Sequence, residues 1–303
     1  MAYKCVVLIK QVPDTKRITG DVMNDDGTVK RSALPAIFNP EDLNALETAL
    51  QIKDRFGGHI TVITMGLPAA AAILRESLYR GADDAILVTD RRCAASDTLA
   101  TSYILGCAVR KLDYDIVLCG RQAIDGDTAQ VGPQLAEKLG ITQITYVEQL
   151  IELSNSAITA QRNIGNGWQQ VKAKLPVLLT VIGDANEPRV AAAKKMMKYK
   201  KARTPIEISE LVKAENPDAD EPEITELIKL RSMSLEEKGL LIRQWDLDLL
   251  EADLTWCGMS GSPTKVHRIQ SVVLTAKESK DIQPTPDGIA DMIHELIEEK
   301  TIA

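Results

Sequence analysis

Tyr114-Asp115-Ile116-Val117-Leu118-Cys119-Gly120-Arg121-Gln122-Ala123-Ile124-Asp125-Gly126-Asp127-Thr128-Ala129-Gln130-Val131-Gly132-Pro133-Gln134-Leu135-Ala136 decides the fold. Its first six residues read as a strand, and Val131, Leu135 and Leu139 recur at helical spacing, which predicts a helix from near Thr128. Between them lies a loop of glycines, acids and hydroxyls. Such a loop presents the unpaired amides and positive dipole end of the following helix, an arrangement that suits a phosphate. Gly120 and Gly126 can let a ligand approach the main chain, and Asp127 or Thr128 can cap the helix. Neither a G-x-x-x-x-G-K-S/T loop nor a G-x-G-x-x-G turn that opens a helix occurs in the chain, which argues against P-loop enzymes, kinases and standard Rossmann dehydrogenases.

Outward from this unit, strand and helix alternate. Tyr3–Val12 reads as a strand, Pro40–Arg55 as a helix, His59–Met65 as a strand and Pro68–Arg80 as a helix. Ala85–Val88 and a helix from about Ser96 to Lys111 complete the series. The near-continuous apolar strands imply burial on both faces, so the order predicts an α/β fold with a doubly wound, mostly parallel, Rossmann-like sheet. Ligands of such sheets lie beyond the carboxyl ends of the strands, where the loops after Ile9, Met65 and Cys119 should meet.

Residues 142–182 change character. Ile144–Val147, Ala157–Ala160, Trp168–Val171 and Val177–Ile182 read as short strands of an antiparallel extension, with Gly165-Asn166-Gly167 as a hairpin turn. Beyond Asn186-Glu187-Pro188-Arg189 comes a basic run, Lys194, Lys195, Lys198, Lys200, Lys201 and Arg203, interleaved with Met196, Met197 and Tyr199. It reads either as a solvated helix face or as a segment that docks an acidic partner or phosphate. Residues 214–223, acidic and proline-bearing, read as a linker or mobile loop. A helix is expected near Ser234–Trp245, a turn at Gly258–Pro263, a strand at Val272–Leu274 and a last helix from about Thr285 to Lys300. Trp245, Leu249, Leu250, Leu254 and Trp256 suggest a C-terminal arm on another subunit, because so much apolar surface should not stay wet.

The 303 residues are 45% hydrophobic, enough for one large domain with an appendage. A formal charge of -7 argues against nucleic acid as the main ligand. No apolar run approaches the ~20 residues of a membrane span, and Val6–Ile9 is too short for a signal peptide core, so the expected compartment is the cytoplasm. The five cysteines form no C-x-x-C pair, and the three histidines show no ligand spacing, so neither a metal site nor a nucleophilic triad is proposed. Asp125 and Asp127 read as loop-shaping and capping groups rather than as acid–base or metal groups.

These landmarks resemble the beta subunit of electron transfer flavoproteins, from the N-terminus to about residue 203 and again weakly over residues 258–266. The likeness rests on Lys10-Gln11-Val12-Pro13-Asp14-Thr15, Asn39-Pro40, the Gly120–Pro133 loop, Lys174-Leu175-Pro176, Asn186-Glu187-Pro188-Arg189 and the lysine run. The resemblance implies a larger alpha subunit as partner and electron transfer through FAD, without independent catalysis by this chain. In ordinary members the beta subunit holds a structural AMP. In electron-bifurcating members an FAD takes that place with its ADP part in the AMP site, and NADH is the donor. Val12–Thr15 and Asp125–Pro133 are similar to the bifurcating form.

Carried over by position, Leu8 and Met65 should touch the adenine region, while Asn39, Pro40, Glu41 and Asp42 should line the ribose end. Gly120, Arg121, Gln122, Ala123, Ile124, Asp125, Gly126 and Asp127 should wrap the nucleotide, with Thr128, Ala129, Gln130 and Val131 cradling phosphate. Residues 1–189 would form the nucleotide domain, and 190–303 a basic recognition segment, linker and arm on the alpha subunit. Where the family usually has leucine and proline after Pro-Arg, this chain has Val190-Ala191-Ala192-Ala193, which argues against docking to a common acyl-CoA dehydrogenase surface. Residues from about 214 to 255 are expected to lack family counterparts. An acyl-CoA dehydrogenase or other flavin enzyme, and ferredoxin or flavodoxin, are the partner classes implied. An ATP-binding module on the same scaffold is the competing class.

Overall fold

A computed structural model describes residues 2–14, 35–264 and 281–298. The first half contains β1 (Tyr3–Leu8), β2 (Gln11–Pro13), β3 (Ala36–Phe38), α1 (Pro40–Phe56), β4 (Gly58–Met65), α2 (Ala71–Arg80), β5 (Asp84–Val88), α3 (Thr98–Arg110), β6 (Ile116–Gly120) and α4 (Val131–Leu139). The second contains β7 (Thr142–Leu153), β8 (Ala157–Asn163), β9 (Trp168–Lys174), β10 (Val177–Val181), α5 (Ala193–Tyr199), α6 (Pro205–Glu215), α7 (Glu221–Glu237), β11 (Arg243–Trp245) and α8 (Pro286–Glu298).

Nine strands form one sheet in the order β11-β5-β4-β1-β6-β10-β7-β8-β9, and β2 pairs with β3 in a separate antiparallel ribbon. Every pairing from β11 to β7 is parallel, whereas β8 and β9 add antiparallel to the edge. The doubly wound sheet is as the sequence predicts, but of the four strands read as an antiparallel extension, β10 and β7 run parallel beside β6, and only β8 and β9 add antiparallel. Alternate residues of each central strand enter different cores, which is why these strands read as continuous apolar runs. Cys5 and Val7 face α1 and α2 with Leu46, Leu50 and Leu74, while Val6 and Leu8 face α3 and α4 with Ile104, Leu105 and Leu135. Each fully buried Leu or Ile contributes about 1.5–3 kcal/mol of transfer free energy. The chain leaves β1 toward β4 on one side and returns to β6 on the other, so the switch point lies at the carboxyl ends of β1 and β6.

Further expectations are corrected. The linker or mobile loop expected over residues 214–223 is shorter: α6 ends at Glu215, and α7 begins at Glu221 with the Asp220 carboxylate accepting from the Glu223 amide at 2.9 Å, so only residues 216–220 lie outside helices. Proline is at home in a helix's first turn and acids there complement the dipole, so part of the composition that suggested a linker is a helix start. Ile208, Val212 and Ile224 form a small core between these two helices. The helix expected at Ser234–Trp245 instead stops at Glu237, and Arg243–Trp245 becomes β11, pairing with Ile86–Val88 of β5. Leu247, Leu250 and Cys257 are buried in the second core, so this stretch packs on its own sheet, while Leu249, Leu254 and Trp256 stay exposed. Finally, α4 starts at Val131 rather than near Thr128. The strand expected at Val272–Leu274 lies outside the described residues, and the last helix spans Pro286–Glu298.

Candidate nucleotide site

Four loops or helix starts meet at the carboxyl edge of the sheet, and their charges decide which can accept an anion. The first turn of α1 carries Glu41 and Asp42, and α3 is capped by its own Asp97, whose carboxylate accepts from the Ala100 amide at 2.9 Å. A 3-10 turn over Pro68–Ala70 leads into α2. The start of α2 carries no acid, but its Ala71 amide is taken by carbonyls of that 3-10 turn; α4 differs from all three, since its first turn has no acid and Gln130 at its N-cap makes no side-chain cap. Among the described residues, no oxygen accepts from the amides of Thr128, Ala129, Gln130, Val131 or Gly132. Ala129, at φ 53, is followed by Gln130 at φ -101 and ψ -31, an alternation that turns successive amides toward one concavity. Five free donors at a dipole end suit an anion such as a phosphate.

The loop in front of this cradle is gripped from the N-terminus of α1. The Asn39 side chain, fully buried, donates to the Gln122 carbonyl at 2.9 Å and accepts from the Ile124 amide at 3.1 Å. Glu41 accepts from the Gln122 amide at 3.0 Å and pairs with the Arg121 guanidinium at 2.9 Å. Asp42 accepts from the Lys10 amide at 2.8 Å and the Gly120 amide at 2.9 Å, tying together the ends of β1 and β6. Burial pushes the Asp42 carboxyl up to about 7 against the opposing pull of those amides. A Cβ on Gly120 would lie 2.6 Å from Asp42 Oδ1 and 2.8 Å from its amide nitrogen, so only glycine admits this approach. Lys10 Nζ closes the loop on Asp125 at 2.7 Å, and Gln122 Nε2 donates to Asp127 Oδ1 at 2.9 Å.

The structure thus brings the predicted residues to one rim. Leu8 is buried at the end of β1, Met65 is half-buried at the end of β4, and Pro40 is exposed at the start of α1. Arg121, Ala123, Ile124 and Asp125 are half-buried, Gly126, Asp127, Thr128 and Gln130 exposed, and Ala129 and Val131 half-buried. Sequence reading missed Thr98, whose hydroxyl donates to Gln130 Oε1 at 2.8 Å, and Tyr146, which lies 5.7 Å over from the Arg121 guanidinium at a φ of 59. The Asp97-Thr98 pair carried a legible helix-cap signal; Tyr146 had none. A cleft of about 470 Å3 lies elsewhere, between the second half of α1 and β7. Its acids are already engaged, Glu148 by Gln161 and Asn163 and Asp54 by Arg189. Cys5 and Cys119 are buried in the cores, and burial pushes the Cys5 thiol up to about 12. Among the described residues no group of His, Cys, Asp and Glu could hold a metal ion.

The profile of the Electron transfer flavoprotein domain matches residues 26–212. The chain is 38% identical over 297 residues to an electron transfer flavoprotein subunit beta of Clostridium acetobutylicum, covering 98% of this chain and 99% of the relative. The chain belongs to the electron transfer flavoprotein beta-subunit family. FixA of Sinorhizobium fredii is 37% identical across 96% of this chain and 91% of its own. An acryloyl-CoA reductase electron transfer subunit gamma of Anaerotignum propionicum is 47% identical over 188 residues, 60% of this chain and 69% of the relative. The near-complete match to the Clostridium subunit overturns the expectation that the tail from about 214 to 255 lacks family counterparts. Weak local motifs in that tail hid a likeness that full-length comparison reveals. No helix among the described residues is long and apolar enough to cross a membrane.

Proposed function

We propose that this chain is the nucleotide-holding beta subunit of a heterodimeric electron transfer flavoprotein that works in NADH-dependent electron bifurcation. FAD would lie with its ADP part against residues 120–131, and the alpha subunit would complete the flavin site. The observation that carries this reading is the set of five free amides from Thr128 to Gly132 at an acid-free helix start, in a chain of this family. The flavin, when bound, supplies the electron-carrying chemistry. The chain's own groups hold the phosphates by Thr128–Val131, fix the preceding loop through Asn39, Glu41, Asp42 and Lys10, and present the ends of β1 and β4 to the adenine. Val12-Pro13-Asp14-Thr15 and the Asp125–Pro133 sequence support the bifurcating form.

The lysine run at 194–203 would supply the basic recognition segment, and the alpha subunit would cover the exposed Leu249, Leu254 and Trp256, in the cytoplasm. A dehydrogenase, such as an acyl-CoA dehydrogenase or another flavin enzyme, and a low-potential acceptor, ferredoxin or flavodoxin, are the partners this reading requires. The second reading, a shuttle with structural AMP, is favoured by the same free amides, since AMP needs only one phosphate site. Acid release of nucleotides from the purified complex with the co-expressed larger subunit separates them. Two FAD per heterodimer is expected; one FAD with one AMP selects the shuttle, and no flavin overturns both.

A further inference from the structure

The C-terminal stretch before the last described helix folds back onto the start of α3. Ser262, nearly fully buried, accepts from the Asp97 amide at 2.8 Å and donates to the Gly258 carbonyl at 2.7 Å. The Asp97 carboxylate, already capping α3, also accepts from the Thr264 amide at 3.0 Å. Gly258, at φ 59, lies so close to the chain at Arg92 that a Cβ there would collide with the Arg92 carbonyl. The Asp253 amide donates to the Tyr103 hydroxyl at 2.9 Å. Residues 253–264 therefore hold α3 at its N-cap through Asp97 and further along through Tyr103, and pack against the turn before it.

The next residue in that turn is Thr98, and its hydroxyl is the link to the cradle. It donates to Gln130 Oε1 at 2.8 Å and accepts from Gln134 Nε2 at 3.3 Å. Gln130 is exposed, and among the described residues its side-chain oxygen accepts from no other group. With Asp97 closing the amide end of α3 and placing negative charge there, α3 does not itself suit an anion. Its hydroxyl instead holds the neighbouring helix start. We propose that Thr98 is a positioning residue for the nucleotide cradle, and that residues 253–264, by fixing α3, form part of the same site. This rests on the cradle assigned above.

The test titrates AMP and ADP into the nucleotide-stripped full chain and its variants, and records thermal midpoints with and without nucleotide. Thr98→Val should weaken binding by about three- to tenfold, the worth of one or two net hydrogen bonds. Its midpoint without nucleotide should fall only slightly, since the bond to Gln130 is exposed, while the nucleotide-induced rise shrinks. Thr98→Ser should restore binding. Ser262→Ala should weaken binding in the same direction. Unchanged affinity in Thr98→Val, or equal loss in Thr98→Ser, overturns the role of the hydroxyl, and unchanged affinity in Ser262→Ala removes the C-terminal segment from the site. A parent chain that binds neither nucleotide overturns the cradle itself and the inference with it.

Discussion

Asp42 makes the stability of this fold fall as pH rises toward neutrality. Its carboxyl is buried under α1 and accepts from the amides of Lys10 and Gly120 at 2.8 and 2.9 Å, and burial lifts it from 3.8 to about 7. The unfolded chain releases this proton near pH 4 and the folded chain near 7, so over that window the folded state binds more protons. The unfolded state therefore gains with each pH unit by about 1.4 kcal/mol, about 4 kcal/mol in all, and the loss is complete above about pH 8. Between pH 5 and 8 the loss is about 3 kcal/mol. Asp42→Asn removes the titration but turns a side-chain NH2 toward one of the two amides, a mismatch of about 1–3 kcal/mol. The variant should be less stable than the parent at pH 5 and approach or pass it by pH 8. Urea unfolding at unit pH steps reads this directly. The reasoning fails if the difference between parent and variant is flat, or moves in the parent's favour, as pH rises from 5 to 8.

Gly120→Ala should cost about 1–3 kcal/mol, because its Cβ meets Asp42 Oδ1 and the Glu41 carbonyl carbon at 2.6 and 2.8 Å; an unfolding midpoint equal to the parent's would contradict that crowding. Glu47→Ala removes the buried acceptor of the Arg189 amide, Nε and Nη2, at 3.1, 2.8 and 2.9 Å. A loss of about 2–3 kcal/mol is expected, with faster amide exchange over residues 186–192, since the Arg189 guanidinium keeps only its exposed contact to Asp54 among the described residues. Thr204→Ala breaks a capping box with Glu207 at the start of α6 and should cost about 1 kcal/mol, visible as faster exchange in α6; protection unchanged there would refute the cap.

What was legible in the sequence was local. The strand–loop–helix unit at 114–139, the alternation around it and the hairpin at 164–167 each follow from patterns within a dozen residues, and the structure has all three. The misread parts have local explanations too. Glu221 and Pro222 resemble part of a linker only until Ile208 and Val212 of α6 offer Ile224 a surface to bury. Arg243-Gln244-Trp245 is too short to announce a strand, and it becomes one because the edge of β5 is open beside it.

The site divides in the same way. The free amides at the start of α4 follow from the loop's own sequence, but the groups that hold the loop arrive from far away. Asp42 reaches Gly120 across 78 positions, Glu41 reaches Gln122 across 81, and Ser262 reaches Asp97 across 165. Asn39, Glu41 and Asp42 look from sequence like groups for a ligand. In the fold their polar atoms are already engaged with the Gly120–Ile124 main chain, and Asn39 and Asp42 are buried. Side chains so engaged can tune a nucleotide site chiefly through the backbone they hold, so their substitution should change affinity together with loop order, whereas a change at Thr128, whose hydroxyl makes no hydrogen bond among the described residues, should change affinity alone.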